Sequence, residues 1–187
     1  VYLIVAFRSD EESSAPRIVG IVGTGAIGSC VIRELAGFGC RILACDPYPR
    51  DDVCNLAEYV ELDELLARAD IVTLHAPGLP ENRHMIGARE LGLMHEGAIL
   101  VNAARGMLVD TAALVDAIES GHLGGAALDT IEHESNLYYR DASREVLPNR
   151  DRAVLMALPS VIVSPHMAFY TAEDVEHMVR STTEALL

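Results

Sequence analysis

The chain has 187 residues, half of them hydrophobic, a length that suits one domain with a sizeable core. Its 28 acidic residues outnumber 14 basic ones, for a formal charge of -14, which argues against nucleic acid and against anionic membrane surfaces as partners. The opening run Val1-Tyr-Leu-Ile-Val-Ala-Phe7 is too short to span a bilayer and lacks the charged start and cleavage site of a signal peptide, so the expected compartment is the cytoplasm.

Residues 1–16 join that apolar run to the polar Arg8-Ser-Asp-Glu-Glu-Ser-Ser-Ala-Pro16, and read as a linker or the remnant of a missing N-terminal segment. A dinucleotide-binding domain is expected over 17–187. A strand over 17–22 runs into Gly23-Thr-Gly-Ala-Ile-Gly28 and a helix over 26–36. The three glycines keep the G-x-G-x-x-G spacing. Gly23 allows the tight turn, Gly25 lets backbone approach a pyrophosphate, and Gly28 lets helix and strand pack closely. The helix start at Ala26 and Ile27 presents N–H groups and a positive dipole end to phosphate.

Gly37 and Gly39 close that helix, and a strand over 41–45 ends at Asp46. A carboxylate there suits the adenosine ribose hydroxyls and repels a 2′-phosphate, which favours NAD over NADP, although Arg50 is near. Residues 53–60 fit no single pattern. Helical spacing resumes over 62–69, and a buried strand over 70–75 is stopped by Pro77 and Gly78. A short helix over 88–94, a strand over 97–102 and an amphipathic helix over 110–121 with Gly121 as its C-cap follow. A strand over 124–128 leads to Asp129. Residues 130–158 are mixed, with a helix near 149–157. The last strand spans 161–164, and a terminal helix over 171–187 has Thr171 as N-cap.

This alternation predicts an α/β fold, a doubly wound parallel sheet covered on both faces. Such sheets hold ligands beyond the C-terminal ends of their strands, which directs attention to Asp46, His75, Asn102, Asp129 and His166. The four cysteines, Cys30, Cys40, Cys45 and Cys54, contain no C-x-x-C pair and read as small reduced hydrophobes. The histidines other than His166, including His75, His84 and His133, show no metal-ligand spacing and read as structural or exposed, so no metal is expected.

Arg105, Glu134 and His166 stand just beyond strand ends in the second half. An arginine, a carboxylate and an imidazole beside a dinucleotide suggest hydride transfer with acid–base help. On the residues alone Glu132 competes with Glu134.

With these motifs in hand the chain resembles the D-isomer-specific 2-hydroxyacid dehydrogenases over 17–187. The resemblance rests on the glycine turn with Asp46, Val101-Asn-Ala-Ala-Arg-Gly106, Gly124-Gly-Ala-Ala-Leu-Asp129 and Ser164-Pro-His166. The long stretch from Asp129 to His166, with Tyr138-Tyr139-Arg140-Asp141, is similar to the D-lactate branch, including the enzymes of glycopeptide-resistance operons. The resemblance implies a Rossmann-type NAD-binding domain. It implies that Arg105 clamps the substrate carboxylate, that His166 is the general acid or base, and that Glu134, selected by its spacing from Asp129, orients His166. Asp129 would meet the nicotinamide carboxamide. Pro77, Asn82, Asn102, Ala104, His166 and Ala168 would line the cofactor pocket, and Phe169 would stand beside the substrate.

The implied substrate is a small 2-oxo or 2-hydroxy acid, pyruvate and D-lactate first, and the implied assembly is a homodimer through the cofactor domain around 88–128. The alternative is an NAD-sensing, corepressor-like binding module, for which three such polar residues have no use. The resemblance implies a long N-terminal segment that builds most of the substrate domain, of which residues 1–16 are expected to be no more than a remnant. The chain is therefore expected to bind NAD while turning over 2-oxo acids poorly.

Overall fold

In a computed structural model the protein is described over residues 17–134, 150–168 and 170–185. The strands are β1 (Ile18–Val22), β2 (Arg41–Cys45), β3 (Glu58–Tyr59), β4 (Ile71–Leu74), β5 (Ile99–Asn102), β6 (Gly125–Leu128) and β7 (Val161–Val163). The helices are α1 (Ala26–Leu35), α2 (Leu62–Arg68), α3 (Ala88–Leu93), α4 (Thr111–Glu119), α5 (Arg150–Ala157) and α6 (Ala172–Ala185). All pairings in the sheet are parallel, in the order β3-β2-β1-β4-β5-β6-β7.

The chain starts in the middle of the sheet, builds outward to β3, then returns to the other side of β1 with β4. That reversal is the switch point at which doubly wound sheets open a crevice beyond their strand ends. β1 pairs with both neighbours, Val22 facing Cys45 on one side and Leu74 on the other.

Alternation along the strands explains the two-sided core. Val22, Leu43, Val72, Leu74, Leu100, Ala126 and Leu128 pack into one cluster with Leu65 and Leu66 of α2, Leu91 of α3, Leu114 and Ile118 of α4, and Leu155 of α5. Their alternating neighbours Val19, Ile21, Ile42, Ala44, Ile71, Val101 and Ala127 pack into a second cluster, with Ile32 and Leu35 of α1 and with Val53 and Ala57. The unpatterned stretch 53–60 thus supplies a buried plug and the two-residue edge strand β3.

The helix ends follow local chemistry. Asp110 caps α4 by accepting the Ala112 and Ala113 N–H groups, each at 3.1 Å, and Gly121 closes it at a φ of 77°. Thr171 Oγ1 accepts the Asp174 N–H at 3.1 Å at the start of α6. Among the described residues no helix is long and apolar enough to cross a membrane. Residues 1–16, Tyr138-Tyr139-Arg140-Asp141 and Phe169 lie outside the described residues.

Candidate functional site

The glycine turn joins β1 to α1. Gly23 has a φ of 94°, and a Cβ there would stand 2.7 Å from the Ala76 nitrogen, so both the turn and its neighbour demand glycine. At Gly28 a Cβ would meet the Gly23 carbonyl oxygen at 2.0 Å, so α1 seats its first turn directly on the strand exit. Gly25 differs: a Cβ there would meet nothing within 4 Å. Its bare backbone faces a cavity of about 890 Å³ bordered by Gly25, Ile27, His75, Pro77, Ala104, Arg105, Asp129, His166 and Ala168.

These features fit a dinucleotide. α1 starts without a side-chain cap or an acidic residue in its first turn, which leaves the Ala26 end electropositive and open to phosphate. Ile27, 70% exposed, presents an apolar surface at the cavity mouth. The volume falls within the range of small-molecule and cofactor sites, about 300–1,000 Å³.

Asp46 stands behind the turn. Its Oδ2 accepts the Thr24 N–H at 2.6 Å and its Oδ1 accepts the Tyr48 N–H at 2.8 Å. The carboxylate therefore fixes the turn and keeps further lone pairs for hydroxyl donors. Arg50 is turned onto Asp52 through Nε and Nη2, both at 2.9 Å.

Beyond β4 and β5 two loops face each other. Asn82 Nδ2 donates to the Pro77 carbonyl at 2.8 Å. Asn102, almost fully buried, donates to the Arg105 carbonyl at 3.0 Å and accepts the Ala104 N–H at 3.1 Å, which closes the loop that carries Arg105. The Arg105 stem lies across Gly78, where a Cβ would approach its Cγ to 2.8 Å, and Nη1 donates to the Ala104 carbonyl at 2.7 Å.

Asp129 is fully buried at the end of β6. It accepts the Ser164 hydroxyl, the Met167 N–H at 2.8 Å and the Ala168 N–H at 2.8 Å, while its own carbonyl accepts the His166 N–H at 2.9 Å. These bonds compensate a buried carboxylate and hold His166 at a φ of 53°. His166 Nδ1 lies 2.8 Å from Glu134 Oε1, and Glu134 Oε2 accepts the Ile131 N–H at 3.1 Å. An ionised carboxylate only accepts, so Nδ1 carries the proton in this pair.

Glu132, the competing acid, points elsewhere: its Oε1 lies 2.8 Å from His84 Nε2 and 3.0 Å from Arg83 Nη2. The cavity also takes in residues to which no site role is given from sequence, His75 among them although it stands at a strand end. His75, read from sequence as structural or exposed, borders it with its Nε2 3.2 Å from Thr73 Oγ1. Burial beneath the glycine turn pushes its pKa down to about 4, because the protonated ring would lose its hydration. Asp174, His177 and Met178 of α6 border it as well. A strand-end histidine next to a glycine turn is a recognisable sequence signal, but the seat of α6 is purely tertiary.

Fold and cavity together define a dinucleotide-binding α/β domain whose cavity is bordered by an arginine and by a histidine paired with a carboxylate. Residues 8–168 match the family model described as D-isomer specific 2-hydroxyacid dehydrogenase, NAD binding domain. The chain belongs to that family.

The chain is 49% identical over 166 residues to a D-specific alpha-keto acid dehydrogenase of Enterococcus faecalis, covering 89% of this chain and 49% of the relative. Among solved structures it is similar to a D-isomer specific 2-hydroxyacid dehydrogenase from Lactobacillus delbrueckii ssp. bulgaricus in its NAD complexed form, with a TM-score of 0.87 and 36% identity over 91% of this chain and 52% of that one. It is also similar to a D-lactate dehydrogenase from Aquifex aeolicus complexed with NAD and lactic acid, with a TM-score of 0.85 and 33% identity over 99% and 58% of the two chains. The chain thus spans about half the length of the curated relatives it matches.

Proposed function

We propose that this chain is the cofactor-binding side of an NAD-dependent D-2-hydroxyacid dehydrogenase acting on a small 2-oxo acid, pyruvate being the first candidate. The observation that carries the reading is the His166–Glu134 pair, 2.8 Å between Nδ1 and Oε1, with His166 bordering the same cavity as Arg105.

When bound, NADH supplies the hydride that converts a 2-oxo acid to a 2-hydroxy acid. The chain's own residues do the rest. Gly25 and the start of α1 receive the pyrophosphate, and Asp46 receives the ribose hydroxyls. Asn82 and Asn102 hold the loops that carry Pro77 and Ala104 along the cofactor, and Asp129 and Ala168 border the nicotinamide end. Arg105 engages the substrate carboxylate with its planar fork, which fixes the carbonyl relative to the hydride. Protonated at both ring nitrogens, His166 keeps its Nδ1 proton on Glu134 and gives its Nε2 proton to the carbonyl oxygen as the carbon accepts hydride; in the reverse direction the bare Nε2 takes the hydroxyl proton. Glu134 holds the imidazole in the orientation that this transfer needs.

The reading extends to a homodimer through the segments around 88–128 and to a reducing compartment such as the cytoplasm, which suits the four free thiols. Nicotinamide fluorescence titration of the 187-residue chain with NADH and NADPH, with and without pyruvate, tests it. Tight NADH binding with slow pyruvate-dependent loss of signal is expected, and failure to bind either dinucleotide overturns the reading.

A further inference from the structure

We infer that Glu132 and His84 are positioning residues that assign Glu134 to His166, an inference that rests on the proposed role of the His166–Glu134 pair. The turn after β6 carries two carboxylates two residues apart, either of which is chemically able to pair with an imidazole. What separates them is the backbone between them and the partners on each side.

Three non-glycine residues adopt positive φ among the described residues: His84 at 52°, His133 at 61° and His166 at 53°. Two of them carry the two imidazole–carboxylate pairs, and the third sits between the two carboxylates. A left-handed backbone crowds the β-carbon of any non-glycine residue, so the turn keeps this shape only if its surroundings impose it. His133 reverses the chain direction, which sends Glu132 and Glu134 to opposite sides.

Glu132 is then anchored by His84 and Arg83. Its side chain is only 10% exposed and meets His84 Nε2 at 2.8 Å and Arg83 Nη2 at 3.0 Å. His84 is held in turn by its N–H donating to the Met107 carbonyl at 2.9 Å, and its Nδ1 faces Asp110 Oδ2 at 3.7 Å. On the turn's other flank Gly106 lies flat on the peptide between Ile131 and Glu132, where a Cβ would stand 2.2 Å from the Ile131 carbonyl carbon. The Ile131 N–H meanwhile grips Glu134 Oε2 at 3.1 Å. The turn is thus clamped through Glu132, and Glu134 projects from the clamped segment onto His166. With Glu132 unanchored, the turn loses that fastening and the His166 proton is no longer confined to Nδ1.

The test is ring ¹⁵N NMR of His166 in the labelled chain, assigned with His166→Gln, which reports which ring nitrogen carries the proton. In the wild-type chain His166 is expected as the Nδ1–H form, and Glu134→Ala should convert it to a mixture. Glu132→Leu should produce the same loss although it touches neither partner, while Glu132→Gln, which keeps an acceptor for His84, should restore most of the wild-type signal. NADH binding should persist in the Glu132 variants, and His84→Ala carries the test if Glu132→Leu does not fold. A wild-type His166 spectrum in folded Glu132→Leu overturns the inference. An unchanged spectrum in Glu134→Ala instead overturns the pair on which it rests.

Discussion

Gly106 and Ile131 are in backbone-to-backbone contact: a Cβ on Gly106 would lie 2.2 Å from the Ile131 carbonyl carbon and 2.3 Å from its oxygen. The loop that carries Arg105 and the turn that carries Glu134 therefore form one solid unit. Neither atom belongs to a flexible side chain, so Gly106→Ala forces both segments apart. Overpacking of this kind typically costs about 1–3 kcal/mol. Urea denaturation should show a loss of that size. A variant as stable as wild type would contradict the packing.

On the proposed reading Asp46 links turn geometry to cofactor choice, because the carboxylate that holds Thr24 and Tyr48 is also the one assigned to the ribose. Asp46→Ala removes two charge-assisted bonds, each worth about 1.5–3 kcal/mol. NADH affinity should fall at least about tenfold, and the ratio of NADH to NADPH affinity should fall with it, since the charge that repels a 2′-phosphate is gone. Parallel fluorescence titrations with both dinucleotides check this. An unchanged ratio would show that Asp46 serves the turn alone.

His75 makes stability pH-dependent in a defined window. Its folded pKa is about 4 against an ordinary 6.5, lowered by burial. Between those values the unfolded chain binds the proton and the folded chain does not, so stability is lost as pH falls from about 6.5 towards about 4 and is unaffected by this group above it. The full loss is on the order of 3 kcal/mol. His75→Gln removes the titration, so its stability relative to wild type should improve as pH drops from 7 to 5. Denaturation of both proteins at the two pH values measures the difference, and parallel curves would refute the desolvated histidine.

The strands were legible because parallel sheets bury both faces: Ile18–Val22, Ile71–Leu74 and Ile99–Asn102 are near-continuous apolar runs bounded by glycine, proline or a polar strand end. The edge strand Glu58–Tyr59 was not, because an exposed glutamate and a two-residue span leave no pattern to read. At the site, Gly23, Gly25 and Gly28 each announced a backbone requirement through spacing. Glu132 and Glu134 carried no such local distinction. Their difference lies in His84, 48 residues away from Glu132 in sequence, and in a turn built on His133. The contribution of Asp174, His177 and Met178 was equally invisible, since α6 reads as an ordinary capped helix until it is seated over the cavity.

Gly25 and Gly28 should separate binding from folding. The Gly28 Cβ position is blocked by the Gly23 carbonyl oxygen at 2.0 Å, whereas the Gly25 position is open. Gly28→Ala should therefore destabilise the chain by about 1–3 kcal/mol whether or not a dinucleotide is present. Gly25→Ala, at a φ of -58° that alanine tolerates, should leave the free chain within about 1 kcal/mol of wild type. Its methyl group instead occupies the approach of a pyrophosphate. A ligand at a hundred times its dissociation constant stabilises its protein by about 2.7 kcal/mol. Wild type should show that increment with NADH and Gly25→Ala should lose most of it. Thermal unfolding of the three proteins with and without NADH distinguishes these cases. Equal NADH stabilisation of wild type and Gly25→Ala would mean that the phosphates lie elsewhere.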